Sequence, residues 1–256
     1  MDVLNKFTAV GLADIGKANF MNRVDTKFPL RSEVLWQNIL PEITDDYYIV
    51  EINGLRLMEY RTVYFDTPDN MFFTTHHNGK LDRFKVRKRM YVDTGTAFLE
   101  IKHKNNKGKT KKKRIEIQSP LDVILPEEYD FVAQHAPCKP ELLKPVIENH
   151  FRRITLVKND LCERCTIDCD LSFADSEVNH STDHFAMVEL KHEAGAPKSP
   201  LRKTLIKYGV HQSGFSKYCI GRVLNGQKDL KTNLFRVRIR MLQKRLDNAL
   251  GVMHNS

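Results

Sequence analysis

Arginine and lysine recur at alternate positions along several short stretches of this chain. The clearest run holds Arg83, Lys85, Arg87 and Arg89. Others hold Lys102 and Lys104 with Glu100, Lys112 and Arg114 with Glu116, and Arg153 between Phe151 and Thr155. Arg164 leads Thr166, Asp168 and Asp170, Glu189 precedes Lys191, and Arg23, Asp25 and Lys27 line up near the start. A strand sends successive side chains to opposite faces, so each group occupies one face. Phe84, Val86 and Met90 oppose the first, with Lys88 as the exception; Arg61 shares its face with Leu57, Val63 and Phe65 and fits less well. Guanidinium groups offer a planar fork to phosphate oxygens and ammonium groups a compact charge. For any single strand a solvated outer face is the ordinary reading. Recurrence on at least six separated strands favours convergence, and a buried ring of cations requires a counter-anion such as a phosphate chain.

Other chemistries find less support. There is no Gly-rich phosphate loop of the Walker type and no dinucleotide-binding fingerprint. On a strand, Cys165 and Cys169 share a face while Cys162 points away, so one zinc ion could not take all three. His76-His77 reads as a surface turn. Few aromatics, chiefly Tyr64 and Phe151, interleave the basic faces, which argues against nucleic acid as a specific partner.

The 256 residues carry 41 Lys and Arg against 32 Asp and Glu, a net charge of +9 that implies an anionic partner. Residues 229–256 hold six Lys/Arg and two Asp, about half the excess, with an apolar component that favours docking onto the body over membrane attachment. From Lys102 to Arg114 there are eight basic residues and no acid, which fits either a solvated hairpin or a funnel. Five cysteines, no signal-peptide pattern at the N-terminus and no bilayer-length apolar run give the expectation of a cytoplasmic protein with free thiols.

These residues need strands to position them. Strands are expected at 23–30, 83–92, 96–104, 110–118, 150–158, 162–171 and 184–192. Residues 46–52 and 56–66 read as a hairpin about Asn53-Gly54. Helices are expected at 32–40 with Ser32 as N-cap, after Pro68, across 120–151 with a break near Pro137–Pro140, and near 200–208 and 215–224. The expected class is α+β: a closed antiparallel β-barrel, or tunnel, with peripheral helices, spanning 1–228 and followed by a basic tail at 229–256.

The series RVDTKF (23–28), VYFDTP (63–68), KVRKRMY (85–91), AFLEIKHK (97–104), FRRITL (151–156), CERCTIDCD (162–170), MVELK (187–191) and GFSKYCIG (214–221) resembles the VTC domain of polyphosphate polymerases, within the CYTH-like triphosphate tunnel metalloenzymes. The resemblance implies catalytic phosphate contacts for Arg87, Arg89, Lys102, Arg153 and Lys217. It implies further phosphate contacts for Lys27, Arg61, Arg164, Lys191 and Ser216, and for Lys112 or Arg114. Glu189 is the implied metal ligand, for Mn²⁺ or Mg²⁺, and ATP and polyphosphate are the implied partners. Arg23 and Asp25 stand where the hydrolytic branch carries glutamates, which favours the VTC-type branch, and Phe151 replaces the family's usual tyrosine. The implied activity is transfer of the terminal phosphate of ATP to a polyphosphate chain. A triphosphate or nucleotide hydrolase on the same barrel, or a non-catalytic polyphosphate or inositol-phosphate binder, are the alternatives. The basic tail leaves room for a protein or membrane-surface contact.

Overall fold

The computed structural model describes residues 2–15, 23–175, 178–182, 184–193, 199–228 and 230–253; the side chains of Arg23, Arg245 and 248–253 lie outside the described set. Its strands, in chain order, are β1 (Ala9–Val10), β2 (Arg23–Arg31), β3 (Tyr47–Val50), β4 (Met58–Asp66), β5 (Arg83–Tyr91), β6 (Thr96–Lys104), β7 (Thr110–Ile117), β8 (Lys144–Lys158), β9 (Glu163–Ala174), β10 (Asn179–Ser181) and β11 (Phe185–Glu193). The helices are α1 (Ser32–Val34) and α2 (Leu40–Glu42), joined by a π-turn at Leu35–Ile39, then α3 (Met71–His77), α4 (Tyr129–His135), α5 (Pro200–Lys207), α6 (Lys217–Leu224) and α7 (Asn233–Met253).

All eleven strands belong to one sheet, whose main path runs β2-β11-β9-β8-β4-β5-β6-β7 and is antiparallel at every step. The class is therefore α+β, as expected. Closure is not: among the described residues β2 and β7 form no ladder with each other, so the sheet is curled but open at that seam. One feature of the edge bears on it: at β2 the Lys27 carbonyl already accepts from the Ser213 N–H at 2.9 Å, so that position of the edge is occupied.

The expected hairpin about Asn53-Gly54 does not form as a paired unit. The turn is present, with φ of 51° and 78° at those residues and an isolated Ile52–Leu55 bridge. Beyond it the two strands diverge onto different stretches of β8, β3 against Leu156–Lys158 and β4 against Lys144–Arg153. The long β8 is also why the expected helix at 120–151 is cut short. Residues 144–151 are strand, because pairing on both edges by β4 and β9 outweighs their local helical tendency. Helix α1 begins at Ser32 with Arg31 as its N-cap and no side-chain cap, so Ser32 does not have the expected role.

One apolar cluster packs the π-turn segment and α5 (Leu35, Ile39, Leu201, Leu205) against the convex face of β8, β9 and β11, and it includes Cys165 and Cys169. Burial raises both thiols, that of Cys169 to about 12. A second cluster joins α3, α4, α6 and α7 to β4–β7. Lys88, the exception to the alternation, is fully buried under this second layer and binds Glu128 at 2.8 Å and Ser119 at 2.7 Å. Asp66 accepts from the Phe72 and Phe73 N–H groups at the start of α3 and from Tyr218 and Arg222 of α6, tying both helices to the end of β4.

Candidate active site

Residues directly opposed in a ladder share a face. The registers give rows across the concave side: Lys27–Glu189–Thr166–Thr155, Met187–Asp168–Arg153–Met58, Thr62–Arg89–Phe98, Tyr64–Arg87–Glu100–Arg114 and Lys85–Lys102–Lys112. Asp25, Lys191 and Arg164 form one more row at the end of β11. Curling then brings opposite ends of the path together. Lys27 and Glu189, on the first two strands, line a cavity of about 370 Å³ with Lys85, Lys102 and Lys104, on β5 and β6.

The sheet thus gathers Lys27, Arg87, Arg89, Lys102, Lys112, Arg114, Arg153, Arg164, Glu189 and Lys191 on one face, and α6 adds Ser216 and Lys217. Arg61 is the correction. It opposes Met90 and His150 on the convex face and forms a bidentate pair with Glu148 at 2.6 and 3.0 Å. The grouping of Arg61 with Val63 and Phe65 by alternation is the signal in the sequence that points away from the concave face. Asp170 also leaves the alternation: its φ is 53° at a bulge between β8 and β9, where it pairs outward with Arg152. The bulge resets the parity, so Leu171 and Phe173 fall in the apolar cluster with Phe151.

Two carboxylates that the alternation marks only as positions on a strand face organise the cations. Glu100, 1% exposed, accepts from Arg87 at 2.5 and 2.7 Å and from Lys112 at 2.7 Å. Asp168 accepts from Arg153 at 2.5 and 2.8 Å and from Lys217. Burial opposes both charges, but Arg87 and Arg89 around Glu100, and Arg153 and Lys217 around Asp168, hold them well below the usual carboxylate range. Glu189 lies 2.9 Å from Lys27 and 3.9 Å from Lys191; against its burial these cations bring it down to about 2.

Not every cation is matched. Arg89 has no carboxylate within ion-pair distance among the described residues. Its Nε donates to Thr62 at 3.0 Å, and its guanidinium lies 5.6 Å from the ring centroids of Tyr60 and Phe151. Burial and the neighbouring Arg87 bring it down to about 10. Lys102 is likewise without a described partner, and Arg87, burial and Arg89 push its ammonium well below the usual range. Burial brings Lys217 down to about 7, Arg153 and Arg89 adding to the effect and Asp168 opposing it, while its Nζ sits 3.1 Å from the Phe151 ring centroid. Phe151 stacks on Tyr60 at 5.1 Å and so forms an aromatic floor under three cations.

Lys85 belongs to the β5 alternation, which by itself marks no special role for it. It donates to Ser216, the N-cap of α6, at 2.9 Å, which joins β5 to the loop before that helix. On the same concave face, the Thr166 hydroxyl beside Glu189 and both amide atoms of Asn149 are buried without a protein partner. Buried polar groups of this kind call for water or a polar ligand.

Among the described residues no three His, Cys, Asp or Glu side chains cluster as metal ligands. Glu189 and Asp25 are hard carboxylates that line the cavity from one face of the sheet. That suits a divalent ion held by one or two carboxylates plus substrate phosphates. His76 and His77 lie in the last turn of α3, not in a surface turn: His77 is buried beside Phe73 and Phe235, and His76 Nδ1 is 3.0 Å from Cys219 Sγ.

Comparison with solved structures finds a candidate adenylate cyclase from Bacillus halodurans at 11% identity and TM-score 0.49, covering 76% of this chain and 94% of that one. It also finds a candidate adenylyl cyclase from Hippeastrum, with a dominant triphosphatase activity, at 13% identity and TM-score 0.47, covering 81% and 98%. No curated protein matches the chain. The model of the VTC domain matches residues 22–224, the segment that carries every strand from β2 to β11 and the α6 lysine. The chain belongs to the VTC domain family.

Proposed function

We propose that this chain is a polyphosphate polymerase-type phosphotransferase that moves the terminal phosphate of ATP onto a polyphosphate chain lying along the concave face. The observation that carries the reading is the unmatched charge of Arg89 and Lys102, surrounded by other cations on that face. Cations this desolvated need an anion, and a linear phosphate chain can satisfy several at once. Phosphoryl transfer depends mainly on positioning and on stabilising charge at the equatorial oxygens. Arg89 and Lys102 would bind those oxygens. Arg87 and Arg153, already fixed by Glu100 and Asp168, would orient the adjoining phosphates without reorganising. A terminal oxygen of the acceptor chain attacks the γ-phosphorus and ADP leaves, so no nucleophilic side chain is required. Glu189 would hold the Mn²⁺ or Mg²⁺ expected in this family, which when bound neutralises charge on the phosphates.

The experiment is incubation of the purified protein with ATP and Mn²⁺, followed by gel analysis for polyphosphate. Arg89→Ala and Glu189→Ala should each lower the rate by about 10²–10³. Arg61→Ala should retain it, because Arg61 faces Glu148 on the convex side. Free phosphate without polymer would select a hydrolase, and binding without turnover a non-catalytic module.

A further inference from the structure

Helix α7 lies wholly beyond the residues that the family model matches, yet it supplies part of the wall of the cavity that holds Lys27 and Glu189. Its attachment is apolar at one end and polar at the other. Phe235 is 1% exposed and meets Phe73, His76 and His77 with ring centroids at 5.8, 5.7 and 5.8 Å. Toward the far end, Arg31 of β2 donates to the Leu246 carbonyl at 3.1 Å and to Asp247 at 2.9 Å. Between these anchors Arg238 lies over Phe235, 5.4 Å from its centroid, and remains exposed.

Arg238 lines the cavity together with Arg83, Lys85 and Lys104. Their closeness is felt by His76: burial, then these four cations, push its imidazole down to about 2. The carboxylates facing the same cavity are Asp25 and Glu189, and Glu189 is already paired with Lys27. Arg83 reaches only the Lys80 carbonyl, at 3.5 Å, and neither Lys104 nor Arg238 has an ion-pair partner among the described residues. This rim therefore carries positive charge beyond what Lys27, Arg89 and Lys102 need to hold a triphosphate.

Resting on the phosphate-chain reading above, we propose that Arg238, with Arg83 and Lys104, forms a distal phosphate subsite that α7 adds to the channel, and that it selects linear polyphosphate over a triphosphate. A triphosphate satisfies the inner cations and ends there. A longer chain continues to the rim, where each added phosphate meets a cation without an ion-pair partner among the described residues.

The test compares the full chain with Arg238→Glu and Arg236→Glu. Arg236 is exposed two residues from Arg238, on the other side of the helix, and controls for a change of net charge. Affinities for tripolyphosphate, long-chain polyphosphate and a single-stranded oligonucleotide are measured by titration calorimetry over a range of salt. Arg238→Glu should weaken long-chain binding roughly tenfold and flatten its salt slope by about one, leaving tripolyphosphate within about twofold. Arg236→Glu should change neither. Equal weakening of both phosphate ligands, the same loss from Arg236→Glu, or an equal loss for the oligonucleotide would overturn the subsite. If the wild-type chain binds no phosphate polymer, both proposals fall. If binding shows the Arg238 dependence but no polymer is made from ATP, the subsite stands and the transferase reading falls.

Discussion

Asp168→Asn tests the electrostatic argument most directly. The carboxylate is 7% exposed and answers two cations, Arg153 at 16% and Lys217 at 12% exposure. Asparagine keeps the shape and removes the charge, so two buried cations are left facing each other with Arg89 close by. Breaking a buried pair by removing one partner costs about 3–5 kcal/mol. For a chain of this size each kcal/mol corresponds to roughly 2–4 °C, so the melting temperature should fall by about 6–20 °C. A phosphate chain would restore the missing negative charge. Long-chain polyphosphate should therefore raise the melting temperature of Asp168→Asn by more than it raises that of the wild type, because a ligand stabilises in proportion to its affinity for the folded state. Differential scanning calorimetry at low salt, in a buffer free of phosphate and sulfate, with and without polyphosphate, provides the measurement. An unchanged melting temperature, or an equal rise in both proteins, would refute the idea that these cations are held in check by Asp168 and wait for an anion.

Four further outcomes follow from the same geometry. The folded-state value of Lys217 lies below its ordinary 10.5, at about 7, so between these two values the unfolded chain binds more protons; the ligand-free protein should gain stability as pH rises through that window, and Lys217→Met should lose the gain in a pH series of melting curves. Glu189 has the same sign in a more acid window: its contribution is present above the ordinary 4.5 and lost as pH falls through about 2, so Glu189→Gln should be less acid-labile in the same series. Glu128→Gln removes the anion 2.8 Å from the fully buried Lys88 and should cost about 3–5 kcal/mol in urea denaturation, whereas the double variant Glu128→Gln/Lys88→Met, which removes both buried charges, should cost much less. A Cβ added at Gly221 would sit 2.3 Å from the Phe173 ring, so Gly221→Ala should destabilise by about 1–3 kcal/mol, and Phe173→Leu should recover part of the loss.

The strand alternation placed Arg87, Arg89, Lys102 and Arg153 on one face of their elements because side-chain period is a local property of extended backbone. It also isolated Lys88 as an exception, without saying that Glu128 lies beneath it. The resemblance extended the reading to Lys217 and Ser216, which sit at the start of a helix and have no alternation to betray them. It misplaced Arg61, whose neighbours Val63 and Phe65 carried the contrary signal. The pairing of β3 and β4 with different stretches of β8, and the strand at 144–151, were not legible, since both depend on partners distant in the sequence. The bulge at Asp170 was hidden for the same reason, because an extra residue on one strand has meaning only against its partner.

Residue types and their spacing alone established a basic, strand-rich chain with one cationic face per strand and a chemistry suited to phosphate oxygens. Only the tertiary structure decided that the strands at the two ends of the sheet curl until Lys102 and Glu189 line one cavity, that Glu100 and Asp168 neutralise particular arginines while Arg89 is left unmatched, and that α7 reaches the rim. Local pattern determines which way a side chain points from its own backbone. Which charges meet, and how far they are withdrawn from water, depends on contacts between segments far apart in the chain.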